Sequence, residues 1–304
     1  EQGLPYFMAF KKAFPTVKDL AEADEDLVMK LWQGLGYYSR ARNLQFAAKQ
    51  VMIEFGGNFP SKYDDIIQLK GVGPYTAAAI SSIAFEEPKA VLDGNVIRVI
   101  SRIFGFKEPV NSPKSNKALQ ALADELLDQQ NPGDFNQAMM EFGALFCTPQ
   151  NPQCMFCELN EICVAHTENV VNQIPKKEKK LKRKSRFLHF IIAEKEGKTW
   201  IEKRGPNDIW QSLYQFPLIE TKVDKELSTS ELKDKLATSL DLRTMHSVKK
   251  HVLSHQDLFA RFYLISPQTN LKEYECVSTA ELHTFAFPRL IDRFLEQEGD
   301  DLWK

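Results

Sequence analysis

Four cysteines, Cys147, Cys154, Cys157 and Cys163, follow one another at a C-x6-C-x2-C-x5-C spacing. Four thiolates on one short segment can hold one metal centre and do little else together. The insert Thr148-Pro149-Gln150-Asn151-Pro152 rules out a continuous helix between the first two. Tetrahedral zinc sites usually pair two C-x2-C arms across a longer stretch. A single C-x2-C arm flanked by lone cysteines suits a four-iron cluster ligated once per iron better than it suits zinc. Zinc remains the alternative reading. Disulfides fit poorly, because the fifth cysteine, Cys276, is left over and no secretory segment is present.

Two further segments could do chemistry. Residues 69–80 read Leu-Lys-Gly-Val-Gly-Pro-Tyr-Thr-Ala-Ala-Ala-Ile. Glycines at 71 and 73, a proline at a helix start and small residues after it predict a tight turn feeding a helix N-terminus. The free amides of such a terminus can face an anion, or the corner can simply be close-packed. Residues 92–99, Leu-Asp-Gly-Asn-Val-Ile-Arg-Val, place the carboxylate of Asp93 just before an apolar helix. On spacing alone Asp93 is either a cap or a reactive anion. Gly34-Leu35-Gly36-Tyr37-Tyr38 is a glycine turn carrying aromatics, followed by Arg40 and Arg42, which read as phosphate contacts or as solvated surface.

The elements that must position these residues change character along the 304-residue chain. Residues 1–146 read as successive helices: Asp24 caps Glu25–Gln33, and Ser39 opens a helix with Leu44, Ala47, Ala48, Val51, Met52 and Phe55 on one face. Pro74–Ala84, Val96–Phe104, Asn116–Gln129 and Phe135–Phe146 continue the pattern. Residues 176–186 hold eight basic residues and one acidic, a local charge of +7 in a chain whose net charge is −2. Such a run reads as a solvated linker that can also lie along phosphates. Beyond it, Phe187–Glu194 and Thr199–Lys203 flank a hairpin turn, Tyr214–Glu220 and Phe259–Ile265 are strands, and Glu231–Ser239 and Pro288–Glu298 are helices. The expected division is a helical domain with a metal loop over 1–170, a basic linker over 171–186 and an α+β domain over 187–304. Hydrophobic content of 43% and charged content of 26% describe a soluble globular protein, and no apolar run is long enough to span a membrane.

Taken in order, L-x-G-V-G-x-x-T-A-x-A-I, L-D-G-N-V-x-R-V and the cysteine run resemble the helix-hairpin-helix DNA glycosylase superfamily. Trp32-Gln33-Gly34-Leu35-Gly36-Tyr37-Tyr38-Ser39-Arg40-Ala41-Arg42-Asn43-Leu44 narrows the resemblance to MutY-type adenine DNA glycosylases. Asp208-Ile209-Trp210-Gln211-Ser212-Leu213-Tyr214-Gln215-Phe216-Pro217 is similar to that family's Nudix-like domain. The resemblance implies an all-α helix-hairpin-helix glycosylase domain with an iron–sulfur loop, then an α+β Nudix-like domain that recognises 8-oxo-guanine. It implies a [4Fe-4S] cluster on Cys147, Cys154, Cys157 and Cys163. The implied activity is base-excision repair, removing adenine mispaired with 8-oxo-guanine or guanine in double-stranded DNA. The target base must leave the stack.

Within that family pattern Asp93 stabilises the developing sugar cation, supported by Asn95 and Tyr75. Gly71, Gly73 and Thr76 fall on the DNA-binding hairpin. Leu35 and Tyr37 wedge or stack at the gap left by the base. Tyr75 stands where endonuclease III-type relatives carry a Schiff-base lysine, which implies an essentially monofunctional glycosylase rather than a combined glycosylase and lyase. The Nudix metal box G-x5-E-x7-R-E-x2-E-E is absent, so the second domain is expected to read damage and not to hydrolyse nucleotides. Ser254, with His255 beside it, fits the family's F-S-H loop, and a hydroxyl can both accept from the N7–H and donate to O8 of 8-oxo-guanine. Leu253 stands where phenylalanine is usual, which weakens a stacking role. The family's general acid lies in an E-x-M-L-Q-Q-T helix that would fall upstream of Glu1. This chain is therefore expected to lack the proton donor, and a non-catalytic DNA-binding module is the alternative for it. A monomer acting on bacterial DNA in the cytoplasm, nucleoid-associated through that DNA, completes the expectation.

Overall fold

The computed structural model describes residues 3–178, 183–247 and 250–303. Glu1 and the centre of the basic run lie outside the described residues. Two compact units form, and they do not follow the linear division into 1–170, 171–186 and 187–304. One is Gln50–Lys180; the other joins Glu1–Lys49 to Leu181–Lys304.

The chain opens with three short helices, α1 (Leu4–Ala13), α2 (Val17–Glu22) and α3 (Glu25–Leu31). The second and third have a local cause. Thr16 and Asp19 form a reciprocal capping box before α2, and Asp24 accepts from the Asp26 amide at 2.7 Å before α3. Helix α4 (Ser39–Glu54) follows. Its buried stripe differs from the predicted one: Ala41, Gln45, Ala48 and Val51 are buried, whereas Leu44 is exposed. The Gln45 amide reaches the Ala23 carbonyl at 2.7 Å, so a polar residue occupies a core position that hydrophobic periodicity could not assign.

The Gln50–Lys180 unit holds α5 (Tyr63–Ile66), α6 (Pro74–Phe85), α7 (Gly94–Ile103), α8 (Pro113–Leu126), α9 (Pro132–Leu145) and α10 (Val164–Thr167). Helices α8 and α9 start three residues earlier than expected. In both, a proline takes the first turn, where its missing N–H costs nothing. Val96, Ile100, Leu119 and Ala123 make the core of this unit. Buried Asn136 on α9 clamps the segment between α6 and α7. Its Oδ1 accepts from Val91 N at 3.0 Å, and its Nδ2 donates to the Lys89 carbonyl and to Ser82 Oγ, both at 2.9 Å.

The other unit carries an eight-stranded mixed sheet: β1 (Lys184–Lys195), β2 (Lys198–Lys203), β3 (Tyr214–Gln215), β4 (Leu218–Thr221), β5 (Leu240–Ser247), β6 (His251–Val252), β7 (Gln256–Pro267) and β8 (Glu275–Ser278). Strand β1 runs parallel to β7 and turns at Glu196-Gly197 into β2. The expected strand Tyr214–Glu220 is two strands. Phe216-Pro217 breaks it, and the halves pair with different partners, β3 with β2 and β4 with β1. Helices α11 (Thr229–Leu236) and α12 (Arg289–Glu298) pack on the sheet. Strands β5 and β8 were not legible in the sequence. The unit's largest core cluster contains Val28, Met29, Tyr38 and Ala41 together with Phe216, Phe262 and Phe287. Shared burial is therefore why the first four helical segments join the sheet.

Candidate functional site

Asp93 caps α7 in extended backbone conformation. Its Oδ1 accepts from the amides of Asn95 and Val96 at 2.8 and 2.7 Å, and its Oδ2 accepts from Asn95 Nδ2 at 2.9 Å. Cap and reactive anion are thus compatible: one oxygen closes the helix, and the other is oriented by a side chain. Asn95 is held in turn. Its Oδ1 accepts from Arg98 Nη2 at 3.0 Å, while buried Arg98 also donates to the carbonyls of Gly143 at 2.5 Å and Cys147 at 2.7 Å. Sequence reasoning missed Arg98, although it lies on the quoted motif.

Gly143 on α9 touches Asn95 directly. A Cβ at 143 would sit 2.7 Å from Asn95 Cβ and 3.0 Å from its carbonyl oxygen. Neither atom can move without displacing α7. Gly143→Ala is therefore expected to destabilise the protein by about 1–3 kcal/mol, because α7 and α9 must part to admit the methyl. A thermal melt checks this; an unchanged melt would mean that the helices part at no cost.

The four cysteines, all half-buried, line one cavity of about 30 Å³ together with Arg102, Phe142, Phe146 and Leu159. Arg102 pins the start of this loop, donating to the Thr148 carbonyl at 2.7 Å, the Cys147 carbonyl at 3.3 Å and Cys147 Sγ at 3.3 Å. Burial, then Cys147 and Cys163, push the Cys154 thiol's pKa up, and Arg102 opposes them. A cationic centre in the cavity would reverse that balance and favour thiolates. Among the described residues no three metal-binding side chains converge as closely as one ion requires. The thiols instead stand around a space. Cys276 lies exposed on β8.

Between α5 and α6, Gly71 takes φ +82°, so the turn requires glycine there, whereas a Cβ at Gly73 would meet open space. Pro74 begins α6, leaving Tyr75 exposed and Thr76 half-buried in its first turn. Gln50 accepts from the Lys70 amide at 2.7 Å and braces this hairpin, a role its sequence gave no sign of.

In the sheet-bearing unit, Leu35, Tyr37, Ser254 and His255 line one cavity of about 680 Å³. Gly34 and Gly36 adopt φ +92° and +80°, and Tyr37 follows at φ 49°. Trp32 Nε1 donates to the Gly36 carbonyl at 2.9 Å and fixes the turn. Tyr37 projects with two-thirds of its surface exposed and the Arg40 guanidinium 4.7 Å from its ring centroid. Across the cavity, Leu253 N donates to the Gln256 carbonyl at 2.8 Å, closing a tight turn that leaves Ser254 and His255 exposed. Leu253 is half-buried against the core and so anchors the loop. Arg42, Trp210, His251 and Arg289 are also among the lining residues.

Residues 2–129 match the model described as HhH-GPD superfamily base excision DNA repair protein, and residues 188–297 match the NUDIX domain. The adenine DNA glycosylase of Buchnera aphidicola subsp. Acyrthosiphon pisum is 32% identical over 255 residues, which is 84% of this chain and 73% of the relative. That of Buchnera aphidicola subsp. Schizaphis graminum is 37% identical over 224 residues, 73% of this chain, and the match spans 64% of the relative's own length. A solved thermostable thymine-DNA glycosylase superposes with a TM-score of 0.50 at 31% identity, covering 54% of this chain and 75% of that one. No helix among the described residues is long and apolar enough to cross a membrane. With its helix-hairpin-helix and Nudix regions in the order those matches require, the chain belongs to the adenine DNA glycosylase family.

Proposed function

We propose that this protein excises adenine mispaired with 8-oxo-guanine or guanine from double-stranded DNA, acting as a monomer. The observation that carries this reading is the Asp93 carboxylate, held by two backbone amides and the Asn95 amide. With adenine flipped out and its ring protonated, the sugar C1′–N9 bond breaks and the base leaves neutral. The electron-poor sugar then faces the fixed anion, and water adds to the sugar carbon. An anion that is already oriented stabilises this cation without reorganising, which is the largest electrostatic advantage a site can offer. Tyr75 has no amine with which to form a Schiff base, so strand cleavage is not expected to accompany excision.

The hairpin with Gly71, Gly73 and Thr76 grips the backbone, Leu35 and Tyr37 fill the gap in the stack, and Ser254 with His255 reads the base opposite. Four thiols around a cavity suit a [4Fe-4S] cluster held by Cys147, Cys154, Cys157 and Cys163. Such a centre supplies cross-linking of a loop that has little core of its own. The helical region over 1–170 would carry the chemistry, the stretch over 171–186 the link, and the region over 187–304 the reading.

The test compares adenine release from an A:8-oxo-guanine duplex by the 304-residue chain and by a chain extended upstream through the E-x-M-L-Q-Q-T motif. Release by the extended chain supports the reading. Binding without release by both would leave a DNA-binding module. A second prediction concerns reading alone. Ser254→Ala should narrow the affinity gap between A:8-oxo-guanine and A:G duplexes by about 1–3 kcal/mol. Neutralising Lys176, Lys177 and Lys184 should weaken both duplexes alike and flatten the salt dependence. Titrations at several salt concentrations separate the two; an unchanged preference in Ser254→Ala rejects the serine's role.

A further inference from the structure

Arg40 and Arg42 stand two residues apart in the first turn of α4, yet the structure gives them different surroundings. Arg40 is exposed over the Tyr37 ring. Arg42 is half-buried, and its Nη1 donates to the Gln211 carbonyl at 2.7 Å. Gln211 lies between Trp210 at φ 63° and Ser212 at φ 67°, two non-glycine residues in left-handed conformation. Such a turn persists only when its surroundings over-determine it. Here they do. Arg204 Nε donates to the Ile209 carbonyl at 2.8 Å, and Arg186 forms a two-pronged pair with Asp208 at 2.6 and 3.0 Å. The Trp210 ring lies 6.3 Å from that of His251, which opens β6 and leads directly into Ser254. Arg42 therefore connects the helix that follows the Leu35–Tyr37 turn to the turn that backs the Ser254 loop. Tyr38 makes a second tie, its hydroxyl accepting from the Arg289 amide at 3.2 Å.

We propose that Arg42 is a positioning residue for damage discrimination, fixing the spacing across the cavity between Leu35–Tyr37 and Ser254, and that it does not grip phosphate. The inference rests on the reading of this cavity as the site where the base opposite adenine is recognised. A guanidinium spent on a backbone carbonyl inside the protein has fewer donors left for DNA, whereas a phosphate contact would leave the arginine free at the surface.

The experiment measures affinities of the 304-residue chain for A:8-oxo-guanine and A:G duplexes across a range of salt. Arg42→Met should reduce the affinity ratio at least about fivefold, the lower end of what one polar base contact discriminates, with an unchanged salt slope. Arg42→Lys, which keeps a donor of similar reach, should retain the ratio. Equal weakening on both duplexes with a slope flatter by about 0.9 would instead identify a phosphate contact and overturn the proposal. An unchanged ratio in Arg42→Met overturns it too. If Arg42→Met does not fold, Arg42→Gln carries the same test, being neutral and too short to reach the carbonyl. A wild-type chain with no preference, or a preference that Ser254→Ala leaves intact, defeats the underlying reading and the proposal with it. A preference lost in Ser254→Ala but kept in Arg42→Met defeats the proposal alone.

Discussion

Asp93→Asn is expected to abolish adenine excision while mispair binding survives. The substitution keeps an oxygen that can accept from the Asn95 and Val96 amides, so the α7 cap remains. What disappears is the charge, together with one hydrogen bond. Asn95 Nδ2 now meets another amide N–H₂ in place of Oδ2, and it cannot flip to accommodate it because Arg98 Nη2 holds Asn95 Oδ1. The stability cost is about 1 kcal/mol. The catalytic cost is far larger, because the anion opposes positive charge that exists only near the transition state. Removing a single preorganised electrostatic partner commonly costs about 10²–10³ in rate, and a full charge at the reacting sugar should exceed that range. Single-turnover excision by the upstream-extended chain, set beside duplex affinity, is the measurement. Excision within about tenfold of wild type, a barrier change of only about 1.4 kcal/mol, would mean that another residue carries the role.

Cys157→Ser should strip the iron, and Cys276→Ser should not. The loop around the thiols has little else to hold it. Met155, Phe156 and Ile162 are exposed, the guanidinium bonds to the loop fall at its start, at Cys147, Thr148 and Pro149, and at its end Cys163 Sγ reaches the Arg102 carbonyl at 3.5 Å. The α7–α9 core, built on Val96, Ile100 and Leu119, does not depend on the loop. Loss of the centre should therefore show as protease cleavage between about residues 150 and 163 with the helical signal largely retained, the behaviour of a local unfolding unit. Iron analysis, broad visible absorption and limited proteolysis together check this. Iron content unchanged in Cys157→Ser, iron lost in Cys276→Ser, or zinc in place of iron would each reject the assignment.

The cap at Asp93, the positive-φ turn at Gly71 and the grouped thiols were legible because their signals are local. A cap residue before an apolar helix, a positive-φ glycine in a tight turn and a run of thiols each announce themselves within a dozen positions. Asp93, Gly71 and the cysteines could therefore be named from the chain alone. Elements were legible where a terminus carries its own stop or start signal, as at Asp24 and Ser39. They were misjudged where a proline interrupts an apolar run, as at Pro217, and at the starts of α8 and α9, where Pro113 and Pro132 open the helix three residues before its apolar pattern begins.

What the sequence by itself determined is the set of groups: a carboxylate at a helix start, four thiols on one loop, a glycine turn with aromatics, a serine loop. It determined them because backbone conformation and side-chain type act over a few residues. Only the tertiary structure decided what those groups touch. It joined residues 1–49 to the sheet, because Val28, Met29, Tyr38 and Ala41 bury their surface with Phe216 and Phe262. It packed Leu253 against the core, made Gln45 and Asn136 buried clamps, and told Arg40 from Arg42. A buried hydrogen bond or a shared core depends on partners well outside any local window, from 22 positions away for Gln45 to 169 for Arg42. No local pattern of charge or hydrophobicity encodes which distant carbonyl a guanidinium will meet.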